Sequence, residues 1–303
     1  SGDSSYSSKE NIKDNITKIF IYYCILSFGI FILFNMSGVR LFNSLNITMS
    51  LISGGGFLPT NSLVNIIESN FQKIILIFSL LTSMLNFYLI FNIFDKKILI
   101  REHKEDLYLF LSSVCLIVLI YFNNNSGFDL IISVVSSLSN SGITLIKSNN
   151  LGLYFLFITI IGGSIISNTS GIKLARFYIL LKTCSSEILK LISPNSVVNK
   201  TIFTSERKIT DDNVKISFLI FISFFLSLFL LSSFLVLDNI DFEKSFKLSI
   251  LTLTNTVNSE LFNMENINFT NLLTSSKISL IIFMIIGKIE LISIFLIFKK
   301  ILF

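Results

Sequence analysis

Charge is scarce in this sequence: 14% of its residues are Asp, Glu, Lys or Arg, against 52% hydrophobic ones, and the mean hydropathy is +0.76. A soluble domain has no use for that much apolar surface. Histidine is scarcer still. The one copy, His103, lies in the charged stretch REHKED (101–106) and reads as a surface residue, so histidine-based catalysis or metal binding has almost nothing to work with. Cysteine occurs three times, as Cys24 and Cys115 inside apolar runs and Cys184 just after one, with no pairing or metal-ligand spacing. All three read as reduced, structural residues. Residues 1–18 (SGDSSYSSKENIKDNITK) lack the apolar region and cleavage site of a secretory signal, so the first apolar run is expected in the mature protein. The net charge of +5 is dispersed rather than gathered into an aromatic-interleaved basic groove, so no nucleic acid is expected as a partner.

What the chain does have is 32 Phe, only 2 Pro, and long uncharged apolar blocks at 19–34, 74–94, 107–122, 216–237 and 278–286. At about 1.5 Å per helical residue, such blocks can cross a hydrocarbon core roughly 30 Å thick. The basic residues fall between them. Lys9, Lys13 and Lys18 precede the first block; Lys96, Lys97, Arg101 and Lys104 fill one loop; Lys182, Lys190, Lys200, Arg207, Lys208 and Lys215 surround another; Lys299 and Lys300 lie near the end. The excess of Lys and Arg on cytoplasmic loops makes these four regions cytoplasmic, in a multi-pass protein of the cell (inner) membrane with both termini inside.

Between the basic regions one grammar recurs three times: a long apolar span, a short apolar piece ending in small polar residues, then another long span. The expected organisation is a polar cytoplasmic N-terminus at 1–15, units at 16–94, 107–182 and 214–303, and a cytoplasmic linker at 183–213. The short pieces, 41–52, 128–139 and 242–254, reach only about 18 Å as helices and cannot cross, so each must dip in from outside and return. The expected fold is therefore an all-α integral membrane protein of repeated membrane–pore–membrane units with re-entrant pore helices, ion-channel-like in form.

Non-helical backbone at membrane depth is tolerated where it is buried in protein or lines a watery cavity, which directs attention to the three return segments. They are Ser53, Gly54, Gly55, Gly56 and Phe57; Asn140, Ser141, Gly142, Ile143 and Thr144; and Asn255, Thr256, Val257, Asn258 and Ser259. None contains a carboxylate, although Glu260 follows the third. Backbone carbonyls suited to a monovalent cation fit better than an acidic ring for divalent ions, and each short helix aims its negative end at the same place. Potassium would be substrate at these carbonyls, with no covalently bound cofactor. Extracellular turns, or small residues permitting close helix contact, are the plainer alternative.

The 151–182 run would reach roughly 48 Å as one helix, too long for an upright span, and its interior carries Gly162, Gly163, Asn168 and Gly171. A break is expected there, with Ser167 and Asn168 among the groups that satisfy the freed backbone; a plain kink is the alternative. Lys288 lies about 16 Å of helix from Lys277 and from Lys299, beyond easy snorkelling, and a lipid-facing lysine at that depth costs at least about 2.5–3.5 kcal/mol. It should face the pore or a polar partner.

At these residues the chain resembles the Trk/Ktr potassium-uptake family. LFNSLNITMSLISGGGFLP (41–59) resembles its second filter segment, SSLSNSG (136–142) its third and LTNTV (253–257) its fourth, which puts Gly55, Gly142 and Val257 at the filter centres. GGSIISNTSGIK (162–173) resembles the glycine-rich interruption of its third repeat, and MIIGKIE (284–290) its closing Gly-Arg-Leu-Glu helix. The resemblance implies a cation path with Gly162, Gly163, Ser167, Asn168, Thr169 and Gly171 as an intramembrane gate and Lys288 as a barrier. It also implies membrane lipid as surroundings, a homodimer, a cytoplasmic nucleotide-binding regulatory ring, and no enzymatic chemistry. Lysine in place of the family's arginine should weaken two-pronged holding of the loop. Val257 stands where glycine is expected, and Ile165, Ile166 and Ser170 should stiffen the gate. The family has four repeats where three are read here, so either a separate chain supplies the first, or the chain is a non-conducting, degenerate or auxiliary relative. A secondary transporter with its substrate site at the broken helix is the further alternative.

Overall fold

The computed structural model describes residues 3–60, 63–86, 104–121, 127–145, 151–165, 167–193, 201, 203, 209–257, 260–264, 269 and 272–289. His103, Ile166, Asn258, Ser259 and Glu290 lie outside these. The described residues form ten α-helices and no strand: α1 (Asp3–Met36), α2 (Leu41–Ile52), α3 (Asn70–Met84), α4 (Lys104–Tyr121), α5 (Gly127–Leu138), α6 (Gly152–Ile161), α7 (Leu174–Ile192), α8 (Asp211–Leu237), α9 (Phe242–Leu253) and α10 (Thr274–Ile289).

The helices group into three units of long span, short helix and return span. In the first, α1, α2 and α3 pack on one another; α4, α5 and the interrupted α6/α7 make the second; α8, α9 and α10 make the third. The units join head to tail, since α3 packs on α5 of the next unit and α6 packs on α9 of the one after. The inner faces share one core, from Phe34 and Leu51 through Leu138 and Phe155 to Leu231 and Phe262. The outer faces are apolar as well: Phe20, Phe28, Phe78, Phe110, Phe157, Phe218 and Phe229 are all exposed. An apolar belt of that extent is stable against lipid rather than water. Among the described residues, α8 by itself is long and apolar enough to cross a bilayer.

Local chemistry explains where the elements start and stop. Ser69 and Gln72 form a reciprocal capping box at the start of α3, and the Gln72 amide also donates to Ser37 O at 3.0 Å, tying the end of α1 to it. Lys73 on α3 meets Asp129 in the first turn of α5 at 2.6 Å. Serines are plentiful in the contact faces: Ser79 and Ser83 on α3, and Ser133, Ser136 and Ser137 on α5, are buried, and such small residues let helix backbones approach.

Two helix ends are set by local contacts. The helix that begins at Asn70 ends at Met84, because Leu85 is extended and the Asn86 amide donates to Asp106 at 2.9 Å instead of continuing it. The helix after the interruption runs through Cys184 to Ile192, so the segment assigned to a linker from 183 begins as helix. All three cysteines are free and exposed.

Candidate functional site

The three short helices end in the same turn. In α2, Gly54 N donates to Leu51 O and Gly55 N to Ser50 O at 3.1 and 2.8 Å; in α5, Asn140 N to Ser137 O and Ser141 N to Ser136 O at 3.2 and 3.1 Å; in α9, Asn255 N to Thr252 O and Thr256 N to Leu251 O at 3.2 and 2.8 Å. This paired pattern is a Schellman turn, and it needs a left-handed residue just past the helix. Gly54, Asn140 and Asn255 supply it, with φ of 66°, 59° and 51°. The hydrogen bonds also fix the register. Gly56, not Gly55, stands opposite Gly142 and Val257, which corrects the sequence alignment by one residue in the first unit.

The turns meet. A Cβ added at Gly56 would collide with the Ser141 carbonyl oxygen and lie 3.0 Å from Val257 Cγ2, and one added at Gly142 would lie 2.8 Å from Thr256 Cγ2. Gly56 and Gly142 both have φ of 69°, whereas Val257 is absent from the left-handed residues. The third turn thus departs from the other two at the position where a β-branched side chain would be strained. Behind the second and third turns a hydroxyl pair spans two residues, Ser139 to Ser141 and Thr254 to Thr256, each at 2.8 Å. Ile143 is buried in the core.

Each asparagine does more than relax the backbone. Asn140 Nδ2 donates to Thr159 O on α6 at 2.8 Å, and Asn255 Nδ2 to Met284 O on α10 at 3.0 Å, so each turn is strutted against its own return span. Gly54 has no such arm. Its turn is held from outside, by Asn168 Nδ2 donating to Ile52 O at 2.6 Å and Lys288 Nζ donating to Ser53 O at 3.0 Å. The shared place of the two asparagines just past their short helices is the sequence signal for the strut.

The expected break is present and runs from Gly162 to Lys173. Gly162 (φ 70°) and Gly171 (φ 84°) fold the segment back on itself, and a Cβ at Gly162 would collide with the Ser170 carbonyl. The freed backbone groups find partners in the loop and around it. Ser164 N donates to Met84 O and Ile172 N to Ile160 O, at 3.1 and 3.0 Å; Gly163 N donates to Thr169 Oγ1 at 3.0 Å, and Ile165 N to the Glu105 carboxylate at 2.8 Å. Ser167 Oγ donates to Ser164 O at 2.7 Å. Lys288 Nζ donates to Asn168 O at 2.7 Å, as well as to Ser53 O, so a lysine does reach two carbonyls on separate elements. Lys173 is buried at the end of the loop, a position that the 162–173 motif contains but that nothing else in the sequence marks. Among the described residues, no three His, Cys, Asp or Glu side chains gather as a metal site.

Repeated membrane–pore–membrane units, short helices ending in convergent carbonyl-rich turns and an interrupted helix beneath them define a pore-loop membrane protein. In fold it is of the TrkH type. The structure superposes on the potassium transporter TrkH from Vibrio parahaemolyticus with a TM-score of 0.81, covering 94% of this chain and 64% of that one at 20% identity. An uncharacterised cation transporter of Methanocaldococcus jannaschii is 30% identical over 188 residues, 59% of this chain. The chain spans 38% of that relative's length. No family model matches the chain.

Proposed function

We propose that the chain is the membrane subunit of a Trk-type cation-uptake system, passing potassium or sodium down its electrochemical gradient through a path lined by backbone carbonyls. The observation that carries this reading is the convergence of three Schellman turns: Gly54 to Gly56, Asn140 to Gly142 and Asn255 to Val257 bring carbonyls, hydroxyls and helix C-termini together with no carboxylate among them. Uncharged oxygens can replace the hydration shell of a monovalent ion, and the helix ends favour positive charge. The Gly162–Lys173 loop is the gate, with Lys288 as a fixed positive charge across the path.

The packing rule supports an incomplete ring. Short helices α5 and α9 each receive the return span of the preceding unit, whereas Leu41, Phe42, Leu45 and Met49 of α2 are exposed. Beside them lies a cleft of about 280 Å³ lined by Asn46, Met49, Ser50, Ser53, Phe57, Leu58 and Pro59. A fourth unit, continuous with this chain or separate from it, would seat its return span there. The resemblance to the Trk/Ktr family supports a homodimer and a nucleotide-binding ring docked on the cytoplasmic loops at 95–106 and 183–215, and an inner-membrane orientation with both termini inside. The test is cation flux into vesicles carrying the protein with and without such a unit. Flux selective for potassium or sodium over an impermeant organic cation supports the reading; none under either condition, with Val257→Gly included, overturns it.

A further inference from the structure

Lys173 closes the interrupted loop, is 3% exposed, and has a φ of 74°, a left-handed conformation uncommon for a lysine. Its side chain turns back into the loop. Nζ reaches Thr169 Oγ1 at 3.1 Å, Ser167 O at 3.3 Å and Ser167 Oγ at 3.4 Å, and is bonded to the Thr169 carbonyl. Four oxygens thus gather around a group with three protons, which is how a compact, point-like cation is surrounded. The cage is stiffened from outside: Ser167 Oγ and Thr169 Oγ1 are 2.7 Å apart, and Gly163 N donates to Thr169 Oγ1 at 3.0 Å. Asn168, between the two cage residues, presents its carbonyl to Lys288. Strain at a buried, many-partnered residue points to a role beyond chain continuity.

We propose that the Lys173 ammonium is a resident, covalently tethered cation that fills an oxygen cage made by Ser167 and Thr169, and that the emptied cage would take a free monovalent cation of ammonium or potassium size. These four oxygens are uncharged carbonyls and hydroxyls, and the Glu105 carboxylate that accepts from Ile165 N places one negative charge beside the same loop, so the site suits a single positive charge; divalent ions call for several carboxylates. Filling it holds residues 162–173 in their folded form, on which the docking of Asn168 to Lys288 and Ile52 depends. It also denies the loop's oxygens to a passing ion, a consequence that rests on the cation-transport reading. The cage itself does not.

Hydrogen–deuterium exchange of the full chain in micelles tests this without any flux measurement. Peptides covering 162–173 are followed in potassium, ammonium and N-methylglucamine salts at equal ionic strength, with α8 peptides as the folding control. Lys173→Met, of similar reach and no charge, should exchange at least about tenfold faster than wild type in N-methylglucamine, since opening of the loop becomes cheaper. Excess potassium or ammonium should restore slow exchange, whereas the wild type responds to none of the salts. Thr169→Val, which keeps the lysine and removes one cage oxygen, should speed exchange without a potassium response. Wild-type exchange in either variant, or loosening in Lys173→Met that potassium reverses no better than N-methylglucamine, overturns the proposal. Loss of flux with normal exchange would instead count against the transport reading alone.

Discussion

The Lys288 ammonium lies 2.7 Å from the carbonyl oxygen of Asn168 and 3.0 Å from that of Ser53, so one side chain from α10 joins the interrupted loop to the turn that ends α2. Asn168 returns the link through its own amide, which donates to Ile52 O at 2.6 Å. The first unit, whose turn has Gly54 where the others have asparagine, is held by these two borrowed side chains. Loop position and turn geometry are therefore coupled there by two side chains; the third turn meets the loop through one longer bond, Asn255 Nδ2 donating to Ser170 Oγ at 3.4 Å.

Lys288→Ala should raise cation flux wherever the path conducts. At an effective dielectric near 20, unit charges about 8 Å apart repel by about 2 kcal/mol, so removing one should speed passage on the order of tenfold or more. Freeing Asn168 and Ser53 acts in the same direction by unlatching the loop. Lys288→Arg keeps the charge and offers a fork to both carbonyls, and should not raise flux. Vesicle flux at equal protein content decides; unchanged flux in Lys288→Ala would make the residue structural.

Gly56→Ala and Gly55→Ala should separate cleanly. A Cβ at Gly56 collides with the Ser141 carbonyl at a φ of 69°, whereas one at Gly55 meets the flexible Ser53 Oγ at 3.2 Å and ordinary contacts beyond it. The first substitution should cost about 2 kcal/mol or more in stability, and the second below about 1 kcal/mol. Thermal unfolding in micelles measures both. Equal costs would mean that the hydrogen-bond register assigned to the first turn is wrong.

That register marks where the sequence stopped being legible. Short helices announce themselves, since 41–52 is an apolar run between Arg40 and the glycines and α2 has those bounds. Three consecutive glycines, however, carry no mark of which one faces Gly142; only the turn's hydrogen bonds tell them apart. The break in the long span was readable from its length and its glycines. The partners of the broken backbone were not, because Met84 O and the Glu105 carboxylate come from distant segments. Lys173 was not legible for a different reason: its burial follows from a left-handed backbone and from oxygens of Ser167 and Thr169 that fold back onto it, neither of which the sequence marks.

Asn140→Gly and Asn140→Ala should differ in an informative order. Glycine keeps the left-handed φ and loses the strut to Thr159 O, a buried hydrogen bond whose removal costs about 1–3 kcal/mol, with a longer bond to Thr256 Oγ1. Alanine loses the strut and adds backbone strain of roughly 1 kcal/mol. Alanine should therefore melt below glycine, and both below wild type. Asn255 should show the same order through its bond to Met284 O. If the two Asn140 variants melt together, the strut is the whole of the effect and the φ contributes nothing.

The last expectation concerns closure of the ring. A carbonyl filter replaces an ion's hydration shell from all sides, and an open quarter beside α2 would admit water or lipid to the Gly54–Gly56 turn. These 303 residues on their own should therefore give no selective potassium conductance. Adding a fourth membrane–pore–membrane unit should restore uptake to the extent that Val257 allows, since Val257 Cγ2 reaches toward Gly56 and the third turn leaves the common backbone path at that residue. Val257→Gly is the paired control: with the fourth unit present it should raise flux, and without it nothing should change. Selective flux from the chain alone would show that three units suffice. Absence of flux with both the unit and Val257→Gly would leave a pore fold that no longer conducts, with the exposed face of α2 as its surviving binding surface.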